Sequence, residues 1–196
     1  MSKMRFRMDK ATTRLFIGIR PCCPSQVFFD ELVRHCRTGI WHKQPDQTHW
    51  TSPRDRHLTL AFLGDTPDHV IPFIEEGLAN IAQTVCSATG HLFSLGPFPA
   101  QNANALAVEL IGDPNLQKLH ERCRQLIIDL GMAPERRSYR PHITLARRKG
   151  GFRGLVPLHL DYSMLLDNIT LYKSVPVPGC SHYHRLFETL LRGIPL

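Results

Sequence analysis

The chain has 196 residues, of which 42% are hydrophobic and 21% are charged, and its 24 Lys and Arg against 17 Asp and Glu give a formal net charge of +7. A chain of this length and composition can bury a core, which excludes a disordered protein, and the positive excess favours an anionic partner such as nucleic acid. No segment approaches the roughly 20 apolar residues that cross a bilayer, and the basic start lacks the apolar run of a signal peptide, so we expect no membrane association.

The first half of the chain predicts two strands, each followed by a helix. Residues 14–19 form a short apolar strand, and residues 1–13 are predicted to be a flexible extension. Ser25 can cap the helix that follows. Residues 57–63 alternate as a second strand, and Thr66-Pro67 has the residue types that start a helix.

The second half predicts a strand pair, the clearest helix of the chain and several further strands. The pair comprises residues 92–98 and 106–111, and the helix begins at Asp113-Pro114 and ends at Gly131. Four more strand candidates follow, at residues 142–146, 155–160, 169–174 and 183–190. This order predicts an α+β fold in one domain, since no linker or low-complexity segment divides the chain.

The six cysteines indicate the compartment. Apart from Cys22-Cys23 they are scattered, and no pair has the spacing of a zinc site. Together with the missing export signal, this predicts a reduced, cytoplasmic protein.

One four-residue pattern occurs twice, as His57-Leu58-Thr59-Leu60 and His142-Ile143-Thr144-Leu145, 85 residues apart. Each copy lies within alternating, strand-like sequence. A third His-x-Thr match at residues 49–51 runs directly into Ser52-Pro53 and has no strand character, so we take it as coincidental.

Strand geometry gives the repeated pattern a chemical meaning. Because side chains alternate along a strand, His57 and Thr59 share one face, as do His142 and Thr144, while apolar residues such as Phe62 lie on the opposite face. If the two strands face each other across a cleft, one imidazole can act as acid and the other as base, and the hydroxyls can donate to an oxyanion. The pattern therefore predicts metal-independent phosphodiester chemistry.

These segments resemble the signatures of the two-histidine (2H) phosphoesterases, and within them the bacterial RNA 2′,3′-cyclic phosphodiesterases, also called 2′-5′ RNA ligases. Residues 57–64, preceded by Trp50, are similar to the first signature, and residues 141–147 to the second. Residues 14–19 resemble the opening strand, and residues 171–174 with Tyr183 resemble the closing segment. The flanks depart from the family at Arg20, at Cys22-Cys23 and in the basic loop of residues 147–153.

The resemblance implies a fold of two pseudo-symmetric lobes, each an antiparallel sheet backed by helices, with the active cleft between them. All of residues 1–196 would form this single bilobal domain. The substrates it implies are RNA ends with a 2′,3′-cyclic phosphate, including tRNA fragments or small nucleotides. Hydrolysis would give a 2′-phosphate, and a 5′-hydroxyl RNA end in place of water would give 2′-5′ ligation. The resemblance implies no cofactor and no metal, and we expect a monomer.

The resemblance also implies roles for individual residues. We assign His57 as general acid and His142 as general base, and Thr59 and Thr144 would hold the non-bridging oxygens. The family match makes Arg147 the phosphate contact. Strict alternation instead places Arg148 on the face of His142, and only a bulge or the end of the strand would bring Arg147 there.

Aromatic and basic residues near the motifs extend the predicted site. Phe16 and Tyr183 are candidates for stacking a nucleobase, the alternative for each being a place in the core. A cluster of positive residues surrounds the second motif and predicts contact with an RNA backbone: Arg136, Arg137, Arg140, Arg147, Arg148, Lys149 and Arg153.

Three other functions stay open at this point. A non-catalytic RNA-binding protein would use the same charge without needing two His-Thr pairs. A metalloprotein would use some of the 11 histidines, yet only His182-x-His184 has a ligand-like spacing. A 2H phosphodiesterase acting on 2′-5′ oligonucleotides or small cyclic nucleotides would share the motifs.

Overall fold

The computed structural model describes residues 11–38, 48–177 and 180–193 and has an α+β fold. The described residues form nine strands: β1 (Thr12–Ile19), β2 (Thr48–Trp50), β3 (Leu58–Pro67), β4 (Ala88–Phe98), β5 (Ala105–Gly112), β6 (His142–Arg148), β7 (Leu158–Leu166), β8 (Asn168–Val177) and β9 (Cys180–Leu190). They also form three α-helices: α1 (Cys23–Thr38), α2 (Ile71–Thr84) and α3 (Pro114–Asp129). None of the described helices is long and apolar enough to cross a membrane.

The strands form one sheet in the order β7-β4-β5-β6-β3-β1-β8-β9, with β2 paired to β6. The sheet has two halves of four long strands, the first lobe (β3, β1, β8 and β9) and the second lobe (β6, β5, β4 and β7). All their pairings are antiparallel, and the lobes meet through a single register pair, Leu58 with Ile143. The two motif strands, β3 and β6, therefore lie at the junction. The predicted α+β fold of two antiparallel lobes is confirmed, with the lobes joined edge to edge.

The helices cover the sheet with apolar stripes of helical period. Leu78 of α2 is fully buried, and α2 packs against β8 and β9. α3 packs against β3, β4 and β5 through residues such as Leu119, which is also fully buried. Phe28 of α1 stacks on Tyr162 of β7, with ring centroids 4.0 Å apart.

The boundaries of α3 follow the sequence prediction. The Asp113 carboxylate accepts hydrogen bonds from the backbone N–H of Leu116 at 3.0 Å and of Thr89 at 2.9 Å, so it caps the helix and ties it to β4. Gly131 has a φ of 75°, the left-handed conformation that ends helices and favours glycine.

Several other predicted boundaries are wrong. Ser25 lies inside α1 rather than at its start, and Thr66-Pro67 remains in β3, because α2 begins only at Ile71 after a short 3₁₀ turn. The strand predicted at 155–160 is β7, which begins at Leu158. The predicted flexible extension reaches two residues too far, since β1 begins at Thr12 and the Thr13 hydroxyl donates to Asp68 at 2.8 Å. Residues 1–10 of that extension lie outside the described residues.

The third His-x-Thr match also has more structure than its sequence suggests. His49 and Trp50 belong to β2, which pairs with β6, so the prediction that this match has no strand character is wrong. Its strand character depends on the neighbouring β6, and β2 ends one residue before Thr51. His49 is exposed, whereas Trp50 packs against the core.

Candidate active site

The register at the lobe junction brings the two His-Thr pairs together. Leu58 and Ile143 are paired and fully buried, so their side chains lie in the core. The residues on either side of them must then point to the opposite face of the sheet. His57, Thr59, His142 and Thr144 share that face, and all four are partly exposed. The predicted meeting of the two motifs is what the structure contains.

A β-bulge in β6 decides between the two arginines. Thr144 pairs with Ala107, and Arg147 pairs with Ala105. Between these two pairs β6 advances by three residues while β5 advances by only two, so β6 contains one extra residue. Because Ala105 and Ala107 are on one face of β5, Arg147 shares the face of Thr144.

The two arginines consequently differ in position. Arg147 is exposed and lines the cleft beside His142. Arg148 is half-buried, and its backbone N–H donates to the Asn104 carbonyl at 2.8 Å. The placement of Arg148 by strict alternation is therefore wrong, because the bulge reverses the alternation before that residue.

The same kind of bulge in β3 moves Phe62 into the site. Thr59 pairs with Gly18, and Phe62 pairs with Phe16. Between these pairs β3 advances by three residues while β1 advances by two. Phe62 therefore faces the cleft rather than the core, contrary to the sequence prediction, and 45% of its surface is exposed.

The cleft has a volume of about 690 Å³. At one end it is lined by Thr59, His142, Thr144 and Arg147 together with the rings of Phe62 and Phe98. This volume lies within the range of roughly 300–1,000 Å³ that is typical of small-ligand sites. The end with the motif residues combines two hydroxyls, an imidazole and a guanidinium, which are donors suited to a phosphate.

His57 lies beside this cleft among aromatic rings. Its Nδ1 is 2.7 Å from the Asp55 carbonyl, which can only accept, so Nδ1 carries the hydrogen and Nε2 is left for chemistry. The ring centroids of Phe16 and Tyr183 are 4.6 and 4.8 Å from that of His57. This burial lowers the pKa of His57 to about 4, and the charges of His142 and Arg147 act in the same direction.

His142 has the same arrangement on the other side of the junction. Its Nδ1 donates to the Arg140 carbonyl at 2.8 Å, and its ring stacks on Phe98 with centroids 3.9 Å apart. Burial lowers the pKa of His142 as well, and the Arg147 guanidinium lowers it further. His57 is therefore neutral at neutral pH, burial also favours the neutral form of His142, and neither Nε2 has a hydrogen-bond partner among the residues that the structure describes.

Two residues hold these histidines in a way that the sequence analysis did not predict: it did not name Asp55, and it placed Arg140 only among the basic residues expected to contact RNA. Asp55 and Arg140 each stand two positions before a motif histidine, and their backbone carbonyls accept its Nδ1–H. The Asp55 carboxylate is 4% exposed and accepts from His182 Nδ1 at 2.9 Å and from the Tyr183 backbone N–H at 3.1 Å. The Arg140 guanidinium binds the Glu109 carboxylate at 2.6 Å. Their spacing from the histidines is the one sequence signal that could have identified them.

The predicted base-stacking residues have different surroundings. Phe16 is 1% exposed and stacks on Tyr172 with centroids 4.8 Å apart, so the prediction that it stacks a nucleobase is wrong. Its ring instead supports His57. Tyr183 is half-buried and meets the rings of Phe16 and His57 edge-on. Its contact with a base stays a prediction.

Metal-binding residues do not converge in the part of the chain that the structure describes. Within residues 11–38, 48–177 and 180–193, no group of three or more His, Cys, Asp or Glu side chains could hold a metal ion. His182, half of the one ligand-like spacing in the sequence, binds Asp55 instead.

Known proteins are similar to this chain in sequence and in fold. The model of the 2′-5′ RNA ligase superfamily matches residues 29–151. An RNA 2′,3′-cyclic phosphodiesterase of Bacillus subtilis (strain 168) is 30% identical over 145 residues, which cover 71% of this chain and 78% of that protein. An RNA 2′,3′-cyclic phosphodiesterase of Thermus thermophilus is 26% identical over 175 residues, covering 85% and 88%.

Two solved structures have the same fold. The Thermus thermophilus protein TT0787 superposes with a TM-score of 0.79 at 22% identity, covering 92% of this chain and 98% of that one. Escherichia coli LigT in complex with 3′-AMP gives a TM-score of 0.74 at 23% identity with the same coverage. At these identities the likeness establishes the bilobal architecture.

Proposed function

The chain belongs to the 2′-5′ RNA ligase superfamily, and on that premise we propose that it hydrolyses 2′,3′-cyclic phosphates at RNA ends to 2′-phosphates. The observation that carries this proposal is the meeting of the two His-Thr pairs at the Leu58–Ile143 junction, where neither Nε2 has a hydrogen-bond partner within the described part of the chain. The names of the curated relatives agree with it.

The phosphate would lie between the two pairs. The hydroxyls of Thr59 and Thr144 would donate to its non-bridging oxygens, and the Arg147 guanidinium would neutralise the negative charge that develops there. Phe62, with nearly half its surface exposed in the cleft, would offer its ring to a nucleobase.

The reaction needs one base and one acid. His142 Nε2 would take a proton from water while the water oxygen attacks phosphorus. The bond between phosphorus and O3′ would break, and His57 would give its Nε2 proton to that oxygen. The product is a 2′-phosphate beside a 3′-hydroxyl. With a 5′-hydroxyl RNA end in place of water, the same groups would form a 2′-5′ linkage.

The assignment of His57 as acid and His142 as base comes from the family resemblance, because nearby charges act on both histidines in the same way. The charges of His142 and Arg147 disfavour the protonated form of His57, which Asp55 favours, and those of Arg147 and Arg140 disfavour protonation of His142, which Glu109 favours. Because His57 is neutral in the free protein, it must gain its proton when the anionic phosphodiester binds and raises its pKa.

The test is an RNA oligonucleotide that ends in a 2′,3′-cyclic phosphate, incubated with wild type, His57→Ala and His142→Ala. Each substitution should lower turnover by about 10²–10⁴-fold, the usual contribution of an acid–base group. The wild-type product should carry its phosphate on O2′, with and without a chelator. A 3′-phosphate product, near-normal turnover by either variant or a strict need for divalent metal would contradict the proposal.

A further inference from the structure

The cleft continues well beyond the motif residues. It extends into an arm, here called the α3 arm, that lies between β3, α3 and the segment that leads into β6. The residues that line the α3 arm are Leu60, Ala61, Phe62, His120, Arg124, Ile127, Pro134, Glu135, Arg137, Ser138, Tyr139 and Arg140. The reaction at the cyclic phosphate uses none of the residues of this arm that come from α3.

One wall of the α3 arm is rigid and flat. His120 Nδ1 donates to the Leu60 carbonyl at 2.8 Å, so α3 is tied to the bulge of β3. The His120 ring stacks on Tyr139 with centroids 3.9 Å apart and planes only 3° from parallel. Phe62 and Pro134 add further apolar surface. Flat apolar and aromatic walls are what the bases of single-stranded RNA bind.

The charge of the α3 arm is positive. Arg124 and Arg137 line it, together with Arg140, which is paired with Glu109 at 2.6 Å, and Glu135 is the one carboxylate among its described lining residues. Arg124 donates to the backbone carbonyl of Glu135 at 2.9 Å, which neutralises none of its charge. Arg137 is 89% exposed and its Nε lies 4.0 Å from the Glu135 carboxylate, a loose and solvated pair.

We propose that the α3 arm binds the nucleotide that precedes the cyclic phosphate, so that the preferred substrate is an RNA strand rather than a free cyclic mononucleotide. This inference rests on the proposed function, whose cyclic phosphate occupies the neighbouring end of the same cleft. Arg124 and Arg137 hold the phosphate that links the two nucleotides, and the apolar wall receives the base. Neither arginine touches the reacting phosphate.

The first experiment compares two substrates with the same cyclic nucleotide at the reacting end, a nucleoside 2′,3′-cyclic monophosphate and an RNA trinucleotide. Wild type should have the lower KM for the trinucleotide. In the double variant Arg124→Ala/Arg137→Ala, the KM for the trinucleotide should rise about tenfold, because hydrogen bonds to charged groups are lost. Hydrolysis of the mononucleotide should be unchanged.

Arg122→Ala is the matched control, because Arg122 is an exposed arginine of α3 that does not line the cleft. It should leave both substrates unaffected. The single variant Arg137→Ala, at the most exposed position, gives a second measurement in case the double variant folds poorly. Equal losses on both substrates, or no loss on the trinucleotide, would overturn the assignment of the α3 arm.

A binding measurement separates this proposal from the hydrolysis itself. Fluorescence anisotropy with a labelled RNA trinucleotide that ends in a 3′-phosphate should show weaker binding to Arg124→Ala/Arg137→Ala. In this variant the logarithm of the association constant should depend less steeply on the logarithm of the salt concentration. The magnitude of that slope should fall by about 0.7, because one phosphate contact is lost. If wild type hydrolyses neither substrate but shows these binding differences, the proposed function fails and the α3 arm stands. Unchanged binding would overturn the α3 arm alone.

Discussion

The two motif strands share a backbone pattern but carry different side chains at the cleft-facing position after the bulge. At the start of β3 and of β6, a histidine and a threonine lie on the cleft face, His57 directly before β3, and a bulge follows the threonine. The bulge brings the fifth residue after each histidine to that same face. This residue is Phe62 in β3 and Arg147 in β6. The repeated backbone is therefore asymmetric in its side chains, with an apolar ring after the bulge of β3 and a charge after the bulge of β6.

The histidines differ in their surroundings as well. His57 is enclosed by the rings of Phe16, Tyr172 and Tyr183, whereas His142 stacks on Phe98 and lines the open cleft. Since each donates Nδ1–H to a carbonyl two residues earlier, their orientations are equivalent and their electrostatics are not. Equal geometry with unequal burial gives the two imidazoles different proton affinities.

Removing the charge of Arg147, the fifth residue after His142, should have the largest effect on turnover of the substitutions that test this difference. Arg147→Ala should lower kcat/KM for cyclic-phosphate RNA by about 10²-fold, because a preorganised donor to the developing charge is lost. Arg148→Ala is the matched control, one residue away and outside the cleft lining, and we expect little change in kcat/KM. Steady-state kinetics at fixed salt give both values. Equal effects of the two substitutions would refute the role that the bulge gives to Arg147.

Removing the ring of Phe62, the fifth residue after His57, should have a smaller effect, on KM rather than on kcat. Phe62→Ala should raise KM about tenfold with little change in kcat, since stacking of one base contributes about 1–3 kcal/mol. Phe62→Tyr should keep the wild-type KM. Phe73→Ala is the control, because Phe73 is exposed on α2 and does not line the cleft. A loss in kcat alone would show that Phe62 acts on the chemistry rather than on binding.

The sequence alone predicts the four motif residues because alternation along a strand is a local property. His57, Thr59, His142 and Thr144 need only their own strands to be placed on one face. The bulges are not local. An extra residue such as Leu145 is apolar like its neighbours, and only the pairing with β5 shows that the alternation breaks there. Alternation alone therefore places Arg148, rather than Arg147, on the face of Thr144, contrary to the structure.

Residues that support the site from a distance in the sequence could not be found in the same way. Phe16 has the alternation of a strand residue, but its exposure depends on rings from β8 and β9, which come from the far end of the chain. Arg124 is one of several polar residues on an amphipathic helix. Nothing in its local sequence indicates that it lines the cleft, because the crossing of α3 over β3 is a tertiary property.

The last prediction concerns stability rather than turnover and tests the unequal burial of the two histidines. The folded protein protonates His57 only near pH 4, whereas the unfolded chain does so near its ordinary value of 6.5. Between these values the unfolded state binds more protons, so the free energy of unfolding should fall as the pH drops, by at most about 1.4 kcal/mol per pH unit. Above the ordinary value of 6.5 this contribution is constant.

His57→Gln should remove that part of the pH dependence, and chemical denaturation of wild type and variant between about pH 4 and pH 7 measures it. His142→Gln is the comparison. It should flatten the plot of unfolding free energy against pH less than His57→Gln does, because His142 has fewer rings against it and borders the cleft. If the two substitutions flatten the curve equally, burial does not distinguish the histidines. The assignment of acid and base would then have to depend on Asp55 and Arg140, whose side chains carry opposite charges at equivalent positions.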